Sequence, residues 1–223
     1  MQAAIWRFFL AWRFRLFQRH RYRSLILERV SGLNLLILPE VFNPALFPTG
    51  AFLAEQLYEG LIPQNASVLD MGTGSGICAL IAAHYTADVV AVDVNSEAVR
   101  CTRINCLLNR VEDRVQVCQG DLFEPVGNQR FDRILFNPPY FRGTPADAHD
   151  QAWRSDDTVE RFAAALEDHL TSDGFALVVL STNGDLPGFL ATFKANNLRV
   201  DVVISRDEIS ETVTVFRLSP EYL

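Results

Sequence analysis

From residue 67 onward the chain alternates short apolar runs with longer stretches of helical periodicity. Runs at 67–71 (SVLDM), 88–94 (DVVAVDV), 114–118 (RVQVC), 132–136 (DRILF) and 175–180 (FALVVL) predict strands. Several are apolar almost throughout, the pattern of strands buried on both faces of a parallel sheet. Between them, 76–84, 96–109 and 158–170 carry apolar residues at helical spacing, so the predicted unit is a repeated β-α-β. Two more strands, at 198–205 (LRVDVVIS) and 212–218 (TVTVFRL), are joined by the polar RDEISE and predict an antiparallel C-terminal pair. The expected architecture is an α/β domain over 41–223, built on a doubly wound, mostly parallel sheet of seven strands. No internal repeat and no long linker interrupts it.

Residues 1–40 depart from this pattern and are expected to form a basic, aromatic-rich helical extension. Residues 1–30 hold seven arginines against Glu28 alone, a net +6 beside −13 for the remainder. Trp6, Phe8, Phe9, Trp12, Phe14, Phe17 and Tyr22 interleave with the arginines, as in an amphipathic helix whose arginine stems lie over an apolar face. Three readings stay open: a packing helix with solvated arginines, a contact with RNA or the ribosome, and attachment to a membrane surface or an organellar presequence. Arginines interrupt the apolar run well before the ~20 residues a bilayer span requires. The broken apolar run and the lack of a small-residue cleavage site argue against a secretory signal.

Composition narrows the class further. Hydrophobic residues at 49% and charged residues at 21% of 223 residues describe a globular chain and exclude a disordered or collagen-like one. A total charge of −7 argues against a protein that coats nucleic acid generally. Cys78, Cys101, Cys106 and Cys118 form no CxxC pair and no zinc-spaced cluster with histidine, so no metal is expected. The thiols are expected to be reduced, in the cytoplasm, which makes the sequon at Asn65 incidental.

Chemistry concentrates at strand ends. Gly72, Thr73, Gly74 and Gly76 form a glycine-rich turn between the first predicted strand of the repeat and its helix. Glycine there permits positive φ and close approach of a ligand to the backbone. A dinucleotide site begins in the same way, but Asp70 precedes the glycines, where it would repel a pyrophosphate and attract a cationic amino-acid moiety. Asp93, followed by Val94, ends the next strand where an acid accepts from ribose hydroxyls. Asp121 and Leu122 follow the strand after that. This set resembles the class I methyltransferases that use S-adenosylmethionine, over roughly residues 48–218. The resemblance implies that the glycine turn holds the methionine part, Asp93 the ribose and Asp121 the adenine amino group.

Asn137, Pro138, Pro139 and Tyr140 directly follow the strand DRILF. Two prolines end the ladder and fix a turn at the carboxyl edge of the sheet, where open α/β folds bind ligands. The Asn137 carbonyl and a proline carbonyl can accept both hydrogens of one planar NH₂ group, with the Tyr140 ring stacked on the acceptor. Methyl transfer to such a nitrogen needs orientation and stabilisation of developing positive charge rather than a metal, a covalent nucleophile or a dedicated base. The tetrapeptide resembles the signature of N-methyltransferases acting on glutamine amides, adenine N6 and guanine N2.

The segment 41–50 (VFNPALFPTG) is similar to the cofactor-closing segment of HemK-type release-factor glutamine methyltransferases, with Pro48 in place of the usual acid and Thr49 as a further cofactor contact. AWRSDDTVERFAAAL resembles the stretch after the tetrapeptide in the short members of that group, with Ser155 and Asp156 in place of a glycine pair. The resemblance implies a protein substrate such as a release factor or ribosomal protein. Methylation of an RNA base, with the basic arm as RNA contact, is the alternative, followed by a small-molecule acceptor and a non-catalytic cofactor-binding scaffold. Residues 141–154 are expected to be a substrate-facing polar loop, with His149 solvated. Oligomeric state is left open.

Overall fold

The computed structural model describes residues 24–145 and 150–221. Its centre is a seven-stranded sheet in the order β10-β11-β9-β6-β3-β4-β5. Here β3 is Ser67–Met71, β4 Asp88–Asp93, β5 Val115–Gln119, β6 Phe131–Phe136, β9 Leu170–Ser181, β10 Leu198–Asp207 and β11 Thr212–Pro220. Strands β5, β4, β3, β6 and β9 run parallel, while β11 pairs antiparallel with both β9 and β10. The sheet is the mixed one expected.

Strand periodicity sorts the side chains between two cores. Val68, Ala91, Leu135, Leu177, Val179 and Val215 pack on one face, against the helices α1 (Thr49–Ala54), α2 (Ile77–Ala82) and α3 (Ser96–Asn109). Leu69, Val90, Val92, Ile134, Phe136 and Val178 pack on the other, against α4 (Thr158–Leu166) and α5 (Leu186–Ala195). Burial on both faces is why these strands read as continuous apolar runs. Helix α4 ends earlier than its periodicity predicts, because a tight 3₁₀ turn at Glu167–His169 leads into a strand that begins at Leu170. Helix α5 was not anticipated; Asp185 caps it by accepting from Gly188 N–H at 3.2 Å, the ordinary N-cap stabilisation.

The N-terminal region requires a correction. Residues 1–23 lie outside the described residues, but the rest of the expected helical extension contains a hairpin of β1 (Ile26–Val30) and β2 (Leu33–Ile37). Its two-residue turn, Ser31 and Gly32, has φ of 48° and 83°. Two consecutive positive φ values give a turn whose twist matches paired strands, and they cannot continue a helix. Leu33, Leu35 and Ile37 are buried in the same core as α1 to α3. Asn105 of α3 locks the hairpin in place, accepting from Leu36 N–H at 2.7 Å and donating to Leu36 C=O at 3.0 Å. Among the described residues, no helix is long and apolar enough to cross a membrane.

Candidate active site

A cavity of about 330 Å³ opens at the carboxyl ends of β3, β4, β5 and β6. Asp70, Gly72, Thr73, Gly74, Asp93, Val94, Asp121, Leu122, Asn137 and Pro139 all contribute to its wall. The strand-end acids and the tetrapeptide, up to 69 residues apart in sequence, therefore meet at one site.

The glycine turn is held by hydrogen bonds at both ends. Thr73 N–H donates to Val92 C=O at 3.0 Å, and Gly76 N–H to Thr73 C=O at 2.8 Å. Gly72, Gly74 and Gly76 have φ of 63°, 56° and 87°, so the turn uses the left-handed region three times within five residues. Gly76 does not line the cavity; a Cβ there would lie 3.0 Å from the Thr102 methyl, so this glycine serves the close packing of the turn on α3. Asn105 Nδ2 also donates to Ser75 C=O at 2.9 Å, which makes it a brace shared by the turn and the hairpin. Sequence reasoning passed over Asn105, whose only signal is a polar residue on the apolar face of a helix.

Asp70 is buried, accepting from the Thr73 hydroxyl at 2.6 Å and from Ala79 N–H at 3.0 Å. Burial pushes its carboxyl up to about 7, against the pull of those two hydrogen bonds, and neighbouring Asp93 pushes the same way. Asp93 is also raised by burial, opposed by N–H groups of Asn95, Gly74 and Val94. Its oxygens accept from Gly74 N–H and Asn95 N–H, each at 2.9 Å, which leaves lone pairs for donors in the cavity. The wall thus offers two carboxylates desolvated without a cationic partner, a condition that a bound cation relieves.

Asp121 sits differently. Arg161 of α4 approaches it with Nη1 at 2.5 Å from Oδ2 and Nη2 at 3.4 Å from Oδ1, and Arg161 itself lines the cavity. The bridge occupies two of about four acceptor positions on the carboxylate. Arg161 was not anticipated; its signal was Asp157 four residues earlier, with which it also pairs at 3.1 Å.

Asn137 lines the same cavity beside Gly50 of α1, where an added Cβ would stand 3.6 Å from Asn137 Nδ2. Pro138 is buried and lies off the wall. Tyr140, expected to stack on the acceptor, is placed in the core. It is 8% exposed, packs in the core with α4 and α5, and does not line the cavity. Its phenol donates to Asn137 Oδ1 at 2.9 Å. Thr49 is likewise off the wall, with its hydroxyl buried and without a hydrogen-bond partner.

The loop after the tetrapeptide borders the cavity through Pro145, Ala152, Ser155, Asp156 and Asp157; His149 lies outside the described residues. Two short parallel strands, β7 (Phe141–Arg142) and β8 (Arg154–Ser155), tie its ends together. Trp153 packs against Phe42 and Phe47, with ring centroids at 5.0 and 4.3 Å. This aromatic cluster fastens the loop to the segment that precedes α1. Among the described residues, no group of three or more His, Cys, Asp or Glu side chains is placed to hold a metal ion.

Comparison with known proteins follows the same geometry. The Methyltransferase small domain family matches residues 32–205. A ribosomal protein uL3 glutamine methyltransferase of Bordetella pertussis is 34% identical over 70% of this chain and 59% of its own length. A tRNA1(Val) (adenine(37)-N6)-methyltransferase of Klebsiella pneumoniae is 35% identical over 51% of this chain and 50% of its own. The chain therefore spans only about half to three fifths of these relatives. The crystal structure of the ribosomal protein L11 methylase of Lactobacillus delbrueckii has the same fold, with a TM-score of 0.59 at 20% identity, covering 81% of this chain and 82% of that one. With a family match across the glycine turn, the strand-end acids and the tetrapeptide, this chain belongs to the Methyltransferase small domain family, on a class I methyltransferase fold.

Proposed function

We propose that this protein is an S-adenosylmethionine-dependent N-methyltransferase whose acceptor is the side-chain amide of a protein glutamine. The observation that carries the reading is Asn137, an amide at the end of β6 that faces the same cavity as the glycine turn and the desolvated acids. The residues present suit the cofactor. Asp70 and the glycine turn would hold its cationic amino-acid end, Asp93 the ribose hydroxyls, and Asp121 with Leu122 the adenine. Bound there, the cofactor supplies a methyl group made electrophilic by a sulfonium.

The chain's own residues do the rest. Asn137 Oδ1 and a tetrapeptide carbonyl accept the two N–H bonds of the acceptor and orient its delocalised lone pair. The same two oxygens stabilise positive charge as it develops on the nitrogen, and the surplus proton leaves to water. Phe42 lines the cavity, backed by the rings of Phe47 and Trp153.

A protein is favoured over RNA by the cavity's charge. Glu40, Asp121, Asp156 and Asp157 border it, with Arg161 the single basic residue on the wall. A phosphate backbone meets repulsion there, whereas a basic protein, of the kind ribosomes contain, is attracted. The uL3 glutamine methyltransferase relative supports this choice; the tRNA methyltransferase relative and the basic arm support the alternative. Asn137→Ala tests the assignment: transfer of labelled methyl falls below detection while calorimetric cofactor affinity stays within about twofold. Turnover near the wild-type level would remove Asn137 from the reaction.

A further inference from the structure

We propose that the Tyr140 phenol is a positioning group that fixes which end of the Asn137 amide is presented to the acceptor. The role rests on the N-methyltransferase reading. An asparagine amide has an accepting end and a donating end, and rotation by 180° about χ2 exchanges them with little change of shape. Only the oxygen end can receive an N–H of the acceptor. The amino end would meet it donor to donor.

The structure supplies a device for holding the oxygen end in place. The phenol O–H donates to Asn137 Oδ1 at 2.9 Å, which leaves the second lone pair of that oxygen for the acceptor. Tyr140 is itself immobilised. Its ring is buried among core side chains, and its carbonyl accepts from Asp185 N–H at 3.3 Å. Gly184 packs so tightly on its backbone that a Cβ there would come within 2.6 Å of the same carbonyl oxygen. Burial also pushes the phenol's ionisation up, so it stays a donor across the working pH range. On the side of α1, the Thr49 hydroxyl is buried without a hydrogen-bond partner. Tyr140 and Asn137 thus form a short polar relay that ends at the acceptor nitrogen.

The test is discrimination between an NH₂ group and an oxygen in its place. Two peptides, identical except for glutamine or glutamate at the acceptor position, are titrated into the protein loaded with demethylated cofactor, so that nothing turns over. Wild type binds the glutamine peptide more tightly. Tyr140→Phe keeps the ring and frees the amide to rotate. The ratio of glutamine to glutamate affinity then falls about tenfold, the size of one lost hydrogen-bond constraint, with cofactor affinity and the urea midpoint unchanged. An unchanged ratio in a folded, cofactor-binding variant overturns the proposal. A wild-type protein that methylates adenine instead fails the glutamine reading alone, and the adenosine and inosine pair then applies the same test. A wild-type protein that methylates neither overturns both.

Discussion

At the scale of single residues, Asp70 carries the sharpest electrostatic consequence. Its carboxyl is pushed up to about 7 by burial, above the ordinary carboxylate value near 4. The folded chain therefore holds that proton more tightly than the unfolded chain does. The stability this contributes is fully present below about pH 4 and is lost as the pH rises through 7. A cation placed beside Asp70 favours the carboxylate, so binding expels a proton wherever the empty site is still protonated. Cofactor affinity is expected to rise from pH 5.5 to 7. Calorimetry at pH 6 in buffers of different ionisation enthalpy should show proton release, and Asp70→Asn should abolish both effects. A flat affinity with no buffer dependence would place the cationic end of the cofactor elsewhere.

At the scale of elements, the brace between α3, the hairpin and the glycine turn is the most vulnerable joint. Asn105 is fully buried and satisfies three backbone groups, Leu36 N–H, Leu36 C=O and Ser75 C=O. Asn105→Ala leaves Leu36 N–H and Ser75 C=O without this partner in the core, while Leu36 C=O keeps the Cys101 thiol at 3.1 Å, and is expected to cost about 2–4 kcal/mol in urea unfolding. Cofactor binding should weaken with it, because the turn loses its support. A cost below about 1 kcal/mol would mean that the hairpin is held by its apolar contacts alone. The same region marks where sequence reading stopped. The parallel strands were legible because burial on both faces leaves uninterrupted apolar runs, and β3 and α3 were placed to the residue. The hairpin was hidden because arginines and aromatics upstream suggested one continuous amphipathic helix. The turn signal, Ser31-Gly32 between apolar runs, was local and short. Tyr140 shows the complementary failure at the site. The tetrapeptide marked one wall of the cavity, but which of its side chains faces the cavity depends on packing from Gly184 and Asp185, more than forty residues later in the sequence.

At the scale of the whole molecule, the distribution of charge bears on the acceptor. The arginine-rich stretch is confined to residues 1–30, and the remainder of the chain is strongly acidic. The cavity wall shares that acidity. A site of this charge suits a basic protein that presents a neutral amide. It is poorly suited to a polyanion unless the basic arm carries the phosphate contacts. The most direct measurement is the chemical fate of the transferred methyl. Purified protein and methyl-labelled S-adenosylmethionine are incubated with a lysate from cells lacking this gene, and the labelled macromolecules are treated with protease or ribonuclease and then hydrolysed in strong acid. An N-methylated amide breaks down to volatile methylamine. The account predicts label that resists ribonuclease, is released by protease and leaves as methylamine. Label that is lost to ribonuclease and recovered in a methylated base would contradict the protein-amide assignment and make the acidic cavity an RNA-modifying site.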